Sequence, residues 1–83
     1  MELVPNHPLA RLELAKLNGM TGDDEDAVRE LEALEKSNPE WIEPHVQLAA
    51  LYYKLHHPSD GQRERQVVQQ LQDRQQRAAL HPQ

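Results

Sequence analysis

Residues 43–55 read EPHVQLAALYYKL, and residues 9–21, one fixed offset earlier, read LARLELAKLNGMT. Laid over one another, the two runs match Leu14 with Leu48, Ala15 with Ala49 and Leu17 with Leu51, while Leu12 falls on Val46 and Glu13 on Gln47. Outward from that pair the same offset matches Pro5 with Pro39, Asp26 with Asp60, Arg29 with Arg63 and Glu30 with Glu64, making seven identities. Chance gives about three for ordinary composition. Ala27 with Gly61 and Leu34 with Val68 continue the correspondence, so the chain reads as a tandem duplication.

Turn chemistry cuts each unit in two. Pro8 opens a run in which Leu9, Leu12, Ala15 and Leu17 keep helical spacing until Asn18, Gly19 and Gly22, predicting a helix over about 8–19. Asp23, Asp24, Glu25 and Asp26 then crowd the start of a second helix, where free N–H groups favour carboxylates, and it carries Ala27, Val28, Leu31 and Leu34 inward to Ser37. Asn38 and Pro39 make the next turn, Pro44 suits a first helical turn, and a third helix is expected over about 43–55. The last begins near Pro58 with a thin inward stripe of Val67, Val68, Leu71, Ala78 and Leu80 in a glutamine-rich sequence, the pattern of a solvated terminal helix. The expected core is Leu14, Ala15, Leu17, Val28, Leu31, Leu34, Leu48, Ala49, Leu51, Tyr52 and Val68, with Ala15 and Ala49 at the closest helix approaches and Trp41 as a wedge between hairpins.

A unit of this length, built from two antiparallel helices and closed by a proline, resembles the tetratricopeptide repeat family. The family's helix A pattern of a large residue, Leu, a small residue and Tyr falls on His45, Leu48, Ala49 and Tyr52. Its helix B pattern falls on Ala27 and Gly61, then Leu31 and Arg65, then Leu34 and Val68, and its turn proline on Pro39. Arg11, Asn18, His56 and Arg65 depart from the pattern. The resemblance implies an all-α fold of two tandem helix-turn-helix hairpins, four antiparallel helices forming a short right-handed α-solenoid with the last helix extended. Residues 1–7 would be a tail, 8–41 the first repeat, 42–80 the second, and 81–83 a tail.

The resemblance also implies a concave face that holds a protein or peptide partner. Its residues would be Leu9, Leu12, Lys16, Gly19 and Met20 from the first unit, with Glu43, Val46, Ala50, Tyr53 and Lys54 from the second. Leu12, Lys16, Met20, Val46, Ala50, Tyr53 and Lys54 are the expected partner-binding residues, fitting an apolar peptide that carries a carboxylate. The bland alternative is that Lys16 and Lys54 pair with Glu13 and Glu43. Leu12 and Gln47 occupy the positions of the Asn and Lys that clamp a C-terminal carboxylate in some members, so that mode is not expected. The rival roles are a structural end cap of a longer array and self-association, as a homodimer or against neighbouring repeats, since two units fall short of the usual minimum for stability.

Composition narrows the rest. A net charge of -5 over 83 residues opposes binding to phosphate backbones or anionic lipid, and neither nucleic acid nor membrane is an expected partner. No signal peptide or membrane span is visible, which fits a soluble chain of unknown compartment. With no cysteine, disulfides and thiolate metal sites fall away. His56 and His57 adjoin and His45 lies nearby, but no carboxylate sits at a ligand spacing, so ordinary loop histidines are expected. The run Asp23–Asp26 lacks a calcium loop's alternation, and Thr21, Ser37 and Ser59 lack a paired base. No enzyme activity, metal or cofactor is expected.

Overall fold

Pro8 takes the first position of α1 (Pro8–Met20), where a missing N–H costs nothing, and the His7 ring accepts the Ala10 N–H at 3.4 Å. In the computed structural model, which describes residues 7–80, three more helices follow: α2 (Asp24–Ser37), α3 (Ile42–Lys54) and α4 (Pro58–Leu80). Residues 1–6 of the expected tail at 1–7, the tail at 81–83, the match of Pro5 to Pro39 and the Leu80 side chain lie outside the described residues. No strand occurs among those residues, and no helix of theirs is long and apolar enough to cross a membrane.

Both hairpin turns use one device. Gly22 takes a φ of 94°, in the left-handed region, and the Asp23 N–H returns to the Asn18 carbonyl at 2.8 Å. At the corresponding positions of the second unit His56 takes a φ of 65°, and the His57 N–H returns to the Tyr52 carbonyl at 2.7 Å. Gly19, expected to help stop α1, stays inside it, and a Cβ there would meet Leu51 at 3.6 Å. Between the units, the Asn38 N–H caps α2 on the Leu34 carbonyl, and the Trp41 N–H bonds the Asn38 carbonyl at 3.0 Å.

The duplicated charges mark equivalent contacts. Asp26 with Arg29 and Asp60 with Arg63 are the same ion pair in the first turns of α2 and α4. Glu30 receives Arg11 from α1 at 3.5 Å, and its counterpart Glu64 receives His45 from α3 at 2.8 Å. In each hairpin the first helix offers a base to the same glutamate of the second.

Helix α1 packs on α2, α3 packs on α4, and the hairpins meet mainly where α3 lies on α2. The core is Leu12, Ala15, Leu31, Leu34 and Leu48, with Val28, Trp41, Leu51 and Tyr52 packed against it. Trp41 is half-buried here, as a wedge should be.

Two expected core residues are corrected: Leu14 and Leu17 are 52% and 55% exposed, whereas their counterpart Leu48 is fully buried and Leu51 half-buried. That side of a first-in-unit helix faces the preceding hairpin, and among the described residues α1 has none to face. Ala15 and Ala49 are both buried as expected, Ala15 at the centre of the core and Ala49 beside an open groove. In α4 the buried positions are Gly61, Glu64 and Leu71, with Val67 and Val68 half-buried; Ala78, expected inward, is exposed. Gly61 is small because Tyr53 lies across it, with a ring atom 2.9 Å from where a Cβ would stand.

The asymmetry yields a paired test. Leu48→Ala should cost about 2–5 kcal/mol, whereas Leu14→Ala should stay within about 0.5 kcal/mol, as at an exposed position; urea midpoints compare them. Equal losses would mean that the Leu14 side is covered. His56→Gly should raise stability by up to about 1 kcal/mol in the same assay, by relieving a left-handed non-glycine residue.

Candidate functional site

Helix α3 carries the exposed side chains Val46, Ala50, Tyr53 and Lys54, and a groove runs along each of its flanks. Lys16, Met20, Ala50 and Lys54 meet on the side toward α1, around a groove of about 310 Å³. Both lysines there are engaged: Lys16 lies 3.6 Å from Glu13, and the Lys54 Nζ reaches Asp24 at 3.2 Å and donates to the Gly19 carbonyl at 3.4 Å. Glu43, the partner considered for Lys54, is not the one it takes. Leu12 cannot serve a partner at all, because it is 2% exposed at the centre of the core.

Val46 and Tyr53 belong to the other groove, about 560 Å³ between α3 and α4. Its lining follows from the repeat. Val46, Ala49 and Tyr53 of α3 are the repeat counterparts of Leu12, Ala15 and Gly19 of α1. On α4, Gln62, Arg65, Gln66, Val68, Gln69 and Gln72 are in the same way the counterparts of Val28, Leu31, Glu32, Leu34, Glu35 and Asn38. Those earlier residues form the bed of α3. Leu12, Ala15, Leu31 and Leu34 share the core with Leu48, Val28 packs on it, and Leu51 approaches Gly19. Glu32 accepts from the Tyr52 hydroxyl at 2.6 Å, Glu35 meets His45, and Asn38 accepts from Trp41. The second groove is therefore the same bed repeated, open to solvent and made more polar.

The third feature is a polar cluster that sequence spacing did not reveal. His45 is no loop histidine: it lies in α3, 4% exposed. Its Nε2–H donates to the Pro39 carbonyl at 3.0 Å, which turns Nδ1 toward two carboxylates, Glu35 Oε2 of α2 and Glu64 Oε1 of α4, each at 2.8 Å. One nitrogen cannot serve both. Glu64 takes the hydrogen bond, and Glu35 Oε2 is buried without a hydrogen-bond partner. Glu35 precedes His45 and Glu64 follows it, each on a different helix and at an interval that no local ligand pattern contains. The sequence holds no carboxylate at a ligand spacing from His45, and packing alone brings Glu35 and Glu64 to it.

The cluster shifts proton affinities. Burial first, and then the neighbouring Glu64 carboxylate, push the Glu35 carboxyl up to about 7 against the opposing pull of His45. For His45, burial alone would lower the value, but the hydrogen bonds to Glu64 and Pro39 and the charges of both glutamates together raise it. Burial and the Glu32 carboxylate likewise raise the Tyr52 hydroxyl.

No family model, characterised protein or solved structure matches the chain.

These shifts give a pH dependence with a definite sign. Both groups bind protons more tightly folded than unfolded. The Glu35 contribution is whole below about 4.5 and is lost as pH rises through about 7; that of His45 is whole below 6.5 and is lost above it. The thermal midpoint should fall by several degrees from pH 5 to pH 8, and Glu35→Gln should flatten that slope. A midpoint that rises with pH would show that the cluster is not protonated as described.

Proposed function

We propose that the chain is a protein-interaction module that takes a partner's helix into the groove between α3 and α4, binding by shape and polar contact and carrying out no reaction. One observation carries the reading: every lining residue of that groove is the repeat counterpart of a residue in the bed that already holds α3. A surface that seats an amphipathic helix once is offered a second time. Val46, Ala49 and Val68 supply its apolar floor and four glutamines its hydrogen-bonding rim. Arg65 replaces the core residue Leu31 and forms no salt bridge among the described residues, so the best-fitting helix has an acidic residue facing it. Of the expected partner-binding residues this keeps Val46 and Tyr53, joins them to the facing residues of α4, and leaves aside Lys16 and Lys54, which are already paired.

Self-association is the second reading, and α1 favours it. Its exposed Leu14 and Leu17 stand at the positions of Leu48 and Leu51, the residues that α3 lays into its bed. One copy thus carries both a helix face of the right pattern and a groove of the right pattern, on different surfaces. Such contacts join head to tail rather than about a two-fold axis.

Two measurements test these readings. In amide NMR, a synthetic peptide of residues 41–55 should perturb Ala49, Tyr53 and Val68 more than Lys16 and Met20, and Val46→Glu should weaken it by at least about tenfold. Perturbation confined to Lys16, Met20 and Ala50 would return the site to the α1 side, and no perturbation would end the helix-docking reading. In sedimentation, concentration-dependent association abolished by Leu14→Glu with Leu17→Glu would establish the self-associating mode, and a strict monomer would exclude it.

A further inference from the structure

We propose that Glu35, His45 and Glu64 form a site for a divalent cation of the zinc type, set in the joint between the two hairpins. The three side chains each offer one ligand atom, and these atoms lie within 4.8 Å of one another. They come from α2, α3 and α4, so the arrangement is a product of the fold rather than a run of acidic residues.

The imidazole is arranged as a ligand. A metal-binding histidine ordinarily gives its second N–H to a carbonyl or carboxylate, which fixes the ring and frees the other nitrogen. His45 does this with the Pro39 carbonyl at 3.0 Å, leaving Nδ1 aimed between the carboxylates. The second sign is Glu35 Oε2, a buried acceptor with no hydrogen-bond partner, 2.8 Å from the same nitrogen. A divalent cation that displaces the cluster's protons would meet one imidazole nitrogen and two carboxylates, whose two negative charges it balances.

Size and access fit as well. Zinc binds nitrogen and oxygen at about 2.0–2.2 Å, which sets tetrahedral donor atoms about 3.3 Å apart, so the Nδ1 contacts need open by only about half an ångström. Glu35 and Glu64 also line a solvent-open groove that Tyr52 and Glu32 border, so an ion can enter and hold water in its fourth position. An imidazole with two carboxylates and no thiolate favours zinc, cobalt or nickel over magnesium or calcium, which take oxygen ligands. Because the ligands span three helices, the ion would stabilise the folded chain by mass action.

The test uses the whole chain at pH 7.5. Titration calorimetry should find a single high-affinity Zn²⁺ per chain, thermal midpoints should rise with added Zn²⁺, and Co²⁺ should give the intense visible bands of a four-coordinate ion. Glu35→Gln, at the solvent edge and least able to disturb the fold, should lower Zn²⁺ affinity by at least about tenfold. The triple variant His7→Gln, His56→Gln, His57→Gln should bind like the parent. The proposal is overturned by no saturable Zn²⁺ binding, by parental affinity in the Glu35 variant, or by loss of binding in the triple variant, which would assign the ion to surface histidines. None of these outcomes depends on whether the α3–α4 groove binds a helix.

Discussion

Whatever joins the two hairpins passes through helix α3. Its apolar side is anchored by Leu48 among Leu12, Ala15, Leu31 and Leu34, and its polar side by His45 between Pro39, Glu35 and Glu64. The two anchors do different work. Apolar burial is non-directional and would tolerate a shift of the helix along its bed. The imidazole would not, because moving it strands a buried nitrogen and two buried carboxylates, and each group left unpaired costs about 1–3 kcal/mol or more. The leucines supply most of the cohesion and the histidine the register.

The duplication makes the chain symmetrical in sequence and asymmetrical in burial. Leu14 and Leu48 are the same residue in the same repeat position, yet one is half in water and the other is sealed. Arg11 with Glu30 and His45 with Glu64 are the same bridge between the helices of a hairpin, but the first lies near the surface and the second is buried. A repeat unit presents one face to the unit before it and a bed to the unit after it. With two units in the described residues, one face and one bed meet, and one of each is left over. The leftover face keeps its leucines, while the leftover bed has exchanged Leu31 for Arg65 and Glu35 for Gln69. The first is a strong apolar surface; the second is a milder and more selective groove.

Much of the local structure was legible from residue order. Prolines 8, 44 and 58, the acidic run before Ala27 and the turn at Gly22 set four helices within a residue or two of their expected bounds, because capping and backbone conformation are decided by near neighbours. The repeat offset likewise foretold that His56 would stand where Gly22 stands, and it does so by accepting a left-handed φ. The offset also carried the bed of α3 onto the α3–α4 groove, although that correspondence becomes visible only once α3 is seen lying in its bed.

The sequence by itself therefore determined the helices, their turns and the repeat, all of which rest on spacing within a few residues or on self-similarity. Only the tertiary structure decided which side of each helix is covered, since helical spacing gives Leu14 and Leu48 identical apolar stripes and the difference lies in the neighbour each one meets. It also decided the fate of Leu12, which the concave-face pattern assigned to a partner and which α3 covers instead. The cluster at His45 belongs to the same class. Its ligand atoms converge because α3 packs against both α2 and α4, and the chain separations between them follow from helix length and packing rather than from any local rule.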